Sequence, residues 1–349
     1  MRDQEPRDQF ESRKADHIRL ALSAKNQAVG EAGLERIQLV HEALPDLDFL
    51  ELSLEISSLG QRLPVPFMIS SMTAGHADSV QLNQVLARAA SARGWRMGVG
   101  SQRRELNDPE AAREWRRIRK EAPNVRLLGN LGLAQLILIP TSDVARLVEA
   151  LEASAMIIHL NALQECIQPE GTPRFRGGLQ AIARLCERLP VPVIVKETGC
   201  GFSSATLQRL RDLGVAAVDV SGLGGTHWGR IEGDRAPAQD VRSEAARTFA
   251  DWGISTVESA LEAIELNVDY EIWASGGVRS GLDAAKLLAM GANTTGLAMP
   301  ILEAALRGES ELLRRMETVE YELKTAMFCT GCRTIAELQG KKVWKWRTL

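Results

Sequence analysis

The sequence is short of cysteine, has no long apolar run and shows no surplus of charge of either sign. Its five cysteines are an odd number, and Cys166, Cys186 and Cys200 are widely spaced, which argues against a disulfide framework and for reduced thiols. Cys329 and Cys332 form a CTGC near the C-terminus, but a zinc site needs further ligands and no second pair accompanies them, so the pair reads as buried or incidental. No apolar run approaches the ~18 residues of a membrane span. The opening MRDQEPRDQFESRKADH is too charged for a secretory signal, so a cytoplasmic protein is expected. The 42 Lys and Arg against 45 Asp and Glu leave a formal charge of -3, with no whole-protein field for nucleic acid or an acidic membrane face. Neither partner is expected, and any anion has to be held locally.

What is present is a sizeable core and a repeated phrase. Hydrophobic residues make up 45% of the 349 positions, and charged residues 25%, as in ordinary globular proteins. The length suits one large α/β barrel or two ordinary domains. From Pro66 onward a short apolar run, a polar or glycine-rich tip and an amphipathic helical segment recur. The runs are PFMIS (66–70), RMGVG (96–100), VRLLGN (125–130), AMIIHLN (155–161), PVIVKE (192–197), AAVDVSG (216–222), EIWASGG (271–277) and TTGLAM (294–299). Helices are expected over 79–94, 142–154 and 281–292, the second with Ser142 or Asp143 as N-cap. Eight alternations predict an α/β fold of the (β/α)8 TIM-barrel type better than an open doubly wound sheet.

Residues 1–349 then read as one barrel domain, with 1–65 as an N-terminal extension. The extension has a helical stretch after Asp16 and a strand pair around FLELSLEIS (49–57), expected across the barrel bottom. Residues 223–243, LGGTHWGRIEGDRAPAQDVRS, are glycine-rich and charged without clear periodicity, and read as a long lid loop.

In such barrels the C-terminal ends of the strands carry the active site. The fourth tip, IIHLNALQE (157–165), packs His159, Asn161, Gln164 and Glu165 into seven positions, a polar density that packing does not call for. The seventh tip, SGGVR, offers Gly276, Gly277 and Arg279 opposite Leu297 and Ala298 of the eighth. Glycines leading into a helix expose backbone N–H groups to an anion, which suits a phosphate cup, with a plain tight turn as the alternative. Lys196 ends an apolar strand, where an ammonium is costly without a partner. It pairs with neighbouring Glu197, or it stands at a flavin edge and stabilises a reduced, anionic ring. Ser71, Met72, Thr73, Ser101, Asn130 and Thr226 could supply the donors and acceptors of a flat heteroaromatic. Arg13, Lys14 and His17 in SRKADH, with Arg103 and Arg104, are either a solvated charged face or an arm that closes on a diphosphate.

Taken in order, SRKADH, SSMTAG, GVGSQR, HLNALQE, VIVKETG, DVSGLGGTHW and SGGVRSGLDAAKLLAMGA resemble the type 2 isopentenyl-diphosphate Delta-isomerases, flavoproteins built on a (β/α)8 barrel. The resemblance runs from Arg13 to the MFCTGCRTIAEL tail. It implies interconversion of isopentenyl and dimethylallyl diphosphate with reduced FMN, Mg²⁺, and NADPH as the flavin reductant, with no net redox change, in a homo-oligomer (tetramer or octamer). By matching motif it implies that Arg13 and Lys14 hold the diphosphate, aided by Ser101, Gln102 and Arg103. FMN would be contacted by Ser71, Met72, Thr73, Ser101, Asn130, Lys196, Ser221 and Thr226, and its phosphate surrounded by Gly276, Gly277, Val278, Arg279, Leu297 and Ala298. Gln164 and His159 are the implied catalytic residues, Gln164 and Asn161 touch substrate, and Glu165 is the implied metal ligand. Ala74, Ala162 and the two cysteines of CTGC, Cys329 and Cys332, depart from the family pattern without touching an implied ligand. The rival reading is an FMN-dependent 2-hydroxy-acid oxidase, which shares the barrel and the phosphate cup. It needs a His base with an Arg near strand six, and there the chain offers His227 in SGLGGTHW without the expected arginine. A catalytic cysteine, as in nucleotide dehydrogenases, is missing from the same loop.

Overall fold

Strands buried on both faces are apolar at nearly every position, and each of the eight apolar runs forms one. A computed structural model describes residues 16–72 and 79–347. Three short strands come first, β1 (Ile37–Leu39), β2 (Ile56–Ser58) and β3 (Gln61–Leu63). The runs follow as β4 (Phe67–Ile69), β5 (Arg96–Gly98), β6 (Arg126–Gly132), β7 (Ala155–Leu160), β8 (Val193–Glu197), β9 (Ala217–Asp219), β10 (Glu271–Ala274) and β11 (Thr294–Leu297). They pair in parallel and close into a barrel, with Thr295 of β11 beside Phe67 of β4 and Leu297 beside Ile69. The fold is the expected (β/α)8 TIM barrel.

Side chains alternate between the two faces of each strand, and this sorts the barrel into layers. In β8, Val193 and Val195 pack outward against the helices, while Ile194 joins Met68, Leu128, Ala155, Ile157, Ala217 and Trp273 in an apolar layer inside. Two positions further along, the same inward faces become polar, with Asn130, His159, Lys196, Asp219 and Ser275. The register sets His159 beside Lys196, and Lys196 beside Asp219. The upper half of the barrel is therefore lined with functional groups, on a rigid apolar base.

The lower end is sealed. β2 and β3 form a hairpin whose tip residue Leu59 packs against the inner apolar layer. Ser58 Oγ donates to Glu271 at 2.5 Å and accepts from Arg96 at 2.7 Å, and Glu271 also accepts from Leu59 N at 2.6 Å and Trp273 Nε1 at 2.9 Å. Arg96 lies over the Trp273 ring, 4.9 Å from its centroid. Burial pushes this guanidinium down to about 10 against the pull of Glu271. Glu271→Ala is expected to cost about 3 kcal/mol by leaving a buried cation uncompensated, read as a lower denaturant midpoint with unchanged slope.

Three expectations need correction. The strand pair is β2 with β3, because Phe49–Glu51 forms a 3-10 turn; the hairpin does lie across the bottom. The helix over 142–154 spans Thr141–Leu151, and neither Ser142 nor Asp143 caps it: Pro140 holds the N-cap position, its extended backbone leading straight into the first turn. Residues 223–243 are not an irregular loop. They hold one helix, Trp228–Arg235, capped by His227, and the start of a second, Val241–Thr248, capped by Asp240. Eight-residue helices show little periodicity, and Gly233 obscured the first; a Cβ there would lie 2.2 Å from Ala246 Cβ of the second. A further strand, β12 (Trp344–Trp346), pairs antiparallel with β1. Among the described residues no helix is long and apolar enough to cross a membrane.

Candidate active site

The inward polar layer opens at the C-terminal ends of the strands into two hollows. His17, Ser71, Met72, Lys196, Thr198 and Trp228 line both, so the hollows are the two ends of one cleft. Counted to their open mouths they enclose about 1040 and 820 Å³.

The larger end is built on glycine. Gly276 and Gly277 follow the last ladder residue of β10 with φ of 96° and 75°. A Cβ would stand 2.4 Å from Gly222 O at the first and 2.7 Å from Gly224 O at the second. Thr256 Oγ1 donates to the carbonyls of Ser275 and Gly276 and fixes the turn. The helix Gly281–Met290 starts just beyond, with a capping box from Ser280 and Asp283, and the helix Met299–Arg307 starts at Ala298. Two helix starts and a glycine turn around one hollow suit an anion such as a phosphate. Gly276, Gly277, Val278, Arg279 and Ala298 all line this end, together with Ser71, Met72, Ser221 and Thr226, whereas Leu297 is buried in the outer core. The hydroxyls of Ser70 and Ser71 are buried without a partner among the described residues. Such groups call for a ligand with polar edges, and in that respect the pocket fits FMN. Gly276→Ala is expected to weaken FMN binding at least about tenfold, through strain at positive φ and the clash with Gly222, measured by fluorescence titration of the apoprotein.

Lys196 stands where the two ends meet. It does not pair with Glu197: its Nζ donates to Asp219 Oδ2 at 2.5 Å and to Ser275 Oγ at 2.7 Å. Glu197 faces away and accepts from the backbone N–H of Thr198, Cys200 and Gly201 at 2.6, 2.5 and 3.2 Å. Burial pushes its carboxyl up to about 7 in spite of those donors. It thereby shapes the turn that carries Thr198 and Gly199 into the cleft.

The smaller end carries the cluster of the fourth tip. His159 Nδ1 is 2.7 Å from Asn130 Oδ1, and Asn130 Nδ2 donates to Val99 O at 3.0 Å. Gln102 does not reach the cleft surface; it stands behind Asn130, its Oε1 accepting from Asn130 N at 3.1 Å. Ser101, Arg103, Asn130, His159, Asn161, Gln164 and Glu165 all line the hollow. Arg104 turns away to Asp108 and Glu114. Glu165 accepts from Asn161 Nδ2 at 3.1 Å and from Thr172 N at 2.5 Å, and the Oδ1 of Asn161 beside it is buried without a partner among the described residues. The described residues hold no group of three His, Cys, Asp or Glu that could by itself bind a metal. Glu165 with neighbouring amide oxygens fits Mg²⁺, which is commonly held by one or two carboxylates together with substrate phosphates and water.

Above this cluster lies Glu232, from the helix Trp228–Arg235. It accepts from Gln164 Nε2 at 2.8 Å and Arg235 NH1 at 2.5 Å, and His17 Nε2 is 2.9 Å away. Burial opposes its charge, but His17, Arg235 and Gln164 outweigh that and hold its carboxyl down at about 2. His17 comes from the helical turn 16–21 and meets the Trp228 ring edge-on at 5.2 Å. Arg13, Lys14 and Thr73 lie outside the described residues.

Residues 133–345 match the family described as FMN-dependent dehydrogenase. An isopentenyl-diphosphate delta-isomerase of Legionella pneumophila (strain Corby) is 56% identical over 333 residues, covering 95% of this chain and 97% of that protein. One of Bdellovibrio bacteriovorus is 54% identical over 343 residues (97% and 99%), and one of Halobacterium salinarum 43% over 336 (95% and 92%). The chain belongs to the type 2 isopentenyl-diphosphate delta-isomerase family. In fold alone, the isomerase barrel is similar to mandelate oxidase variants, one holding a C4a-OH-FMN adduct (17% identity, TM-score 0.65, 97% of this chain and 100% of that one) and one holding 2-hydroxy-phenylacetamide (17%, 0.65, 97% and 95%).

The oxidase reading fails at His227. In the isomerase that histidine caps its helix, Nδ1 accepting from Arg230 N at 3.2 Å, and it is buried outside the cleft. Asp219, Ser275, Trp228 and Glu232 belong to the site without a motif that marks them in the sequence. An aspartate inside the apolar run AAVDVSG was a usable signal for the first, since such a charge needs a partner. Glu232 has none, because its eight-residue helix shows no clear period.

Proposed function

We propose that the protein interconverts isopentenyl and dimethylallyl diphosphate by a 1,3-allylic proton shift, with reduced FMN and Mg²⁺ and no net redox change, NADPH serving to reduce the flavin. The observation that carries this reading is the cleft's division: a glycine-built end with unpartnered hydroxyls, and an end of amides, imidazoles and one carboxylate, joined at Lys196 and His17. The carbons of the substrate are unactivated, so ordinary carboxylate or imidazole pKa values are poorly matched to moving its protons. When bound, reduced FMN would supply an electron-rich ring able to give and take a proton and to stabilise positive charge developing on the substrate.

The chain's own groups do the rest. Arg13, Lys14, Ser101 and Arg103 hold the diphosphate, and Gln102 keeps Asn130 in place behind them. Glu165 would hold Mg²⁺, which would neutralise charge on the substrate diphosphate. Gln164, fixed by Glu232, and His159, fixed by Asn130, face the reacting carbons as catalytic residues, with Asn161 between them and the metal ligand. Trp228 and the turn 16–21 cover the prenyl chain and keep water out. Lys196, Ser71, Met72, Thr73, Ser101, Asn130, Ser221 and Thr226 hold the ring, and the turn at Gly276 and Gly277 holds the FMN phosphate. We place the enzyme in the cytoplasm as a homo-oligomer, tetramer or octamer, which light scattering of the purified protein checks.

The test is direct. Purified protein is examined for a yellow chromophore, reduced with NADPH or dithionite, and given isopentenyl diphosphate with and without Mg²⁺. Formation of dimethylallyl diphosphate only after reduction supports the proposal. Oxygen consumption with a 2-hydroxy acid, and no isomerisation, overturns it.

A further inference from the structure

One carboxylate in the barrel has no part in the reaction as described. Asp219 is 0% exposed, and a carboxylate there is costly unless it is paired and hydrogen-bonded. Both conditions are met inside one triangle. Lys196 Nζ is 2.5 Å from Asp219 Oδ2 and 2.7 Å from Ser275 Oγ, and that hydroxyl donates to Asp219, 2.8 Å from Oδ1 and 3.1 Å from Oδ2. An ammonium carries three N–H donors. Two are occupied among the described residues, and the third is left for the cleft where its two ends meet.

We propose that Asp219, held by Ser275, is a positioning residue that sets how much of the Lys196 charge the flavin ring meets: one oriented N–H of a compensated ammonium in place of a free cation. This rests on the FMN reading of the cleft. A bare ammonium beside the ring favours its anionic reduced form, as a nearby cation favours any anion. With Asp219 compensating the charge, the ring ionises near its ordinary range. A group that must both give and take a proton works best with its pKa near the operating pH. The other charged or titratable groups around Lys196 are His159 on the neighbouring strand, His17 from the turn 16–21, and Arg103, Glu165 and Arg279 lining the two ends. None is altered by a change at Asp219, so a comparison of variant with parent isolates it.

The test uses the full chain loaded with FMN, reduced with dithionite without oxygen, and titrated by the absorbance of the reduced flavin across pH. Asp219→Asn keeps the shape and removes the charge. Its ionisation midpoint is expected to fall by roughly one to three pH units below that of the parent; a midpoint unchanged or raised overturns the proposal. In a Lys196→Met background the same substitution is expected to move nothing. A shift of equal size there overturns the proposal too, because Asp219 would then act without Lys196. If Asp219→Asn does not fold, Ser275→Ala carries the test, with a smaller fall expected and no fall overturning it. A parent protein that takes up no FMN would overturn the flavin reading itself, whereas bound FMN with an unmoved midpoint overturns this inference alone.

Discussion

Glu165→Ala is expected to lower kcat by about 10²- to 10⁴-fold and to abolish the response to Mg²⁺, while FMN still binds with an affinity within about twofold of the parent. Gln164→Ala is expected to cost a similar factor in kcat and to leave the Mg²⁺ response in place. The division follows from where the two side chains sit. Both line the smaller end of the cleft and neither lines the glycine-built end, so the flavin site keeps its shape when they are cut back. Glu165 offers a carboxylate to the cation, whereas Gln164 offers an amide whose N–H is already directed at Glu232. Steady-state kinetics at varied Mg²⁺, paired with flavin titration, check both at once. Loss of FMN from Glu165→Ala with an unchanged Mg²⁺ response would sink the assignment.

Glu232→Ala is expected to do two kinds of damage. It removes the common acceptor of His17, Gln164 and Arg235, three groups from distant parts of the chain. Turnover should fall by about 10²-fold or more as Gln164 and His17 lose their orientation. Stability at neutral pH should fall by about 3–5 kcal/mol, the cost of breaking a buried pair from one side. The pH dependence has a definite sign. The carboxyl is held at about 2 in the folded protein, below its ordinary range, so its contribution is fully present above ~4.3 and is lost as pH falls from there through about 2. That contribution is on the order of 3 kcal/mol. Denaturant unfolding at pH 7 and pH 3 should therefore show the gap between parent and variant shrinking at the lower pH. A gap that widens on acidification contradicts the assignment.

The barrel was legible because its signal is physical and repeated. A strand such as PVIVKE, buried on both faces, leaves no room for polar residues until it reaches the mouth, where Lys196 and Glu197 appear. The polar cluster of the fourth tip was legible for the same reason, since His159 and Asn161 interrupt an apolar run. What the sequence hid was pairing. Nothing local says that Lys196 meets Asp219, 23 positions on, in place of adjacent Glu197; strand alternation decides it, because neighbours in a strand face opposite sides. Glu232 was hidden by short helices without visible period, and the pairing of β1 with β12 by the length of chain between them. Gln102 and Leu297 show the reverse case, in which a motif places a residue beside the cleft and the fold sets its side chain behind the wall.

The sealed lower end has a consequence for where the transferred hydrogen comes from. The layer of Met68, Leu128, Ala155, Ile157, Ile194, Ala217 and Trp273 contains no titratable group, and Leu59 backs it from below. A proton has no carrier along the barrel axis, so the vessel fills and empties only at its rim. Solvent deuterium that reaches product has then to come in by the rim, where His17 and Trp228 line the cleft.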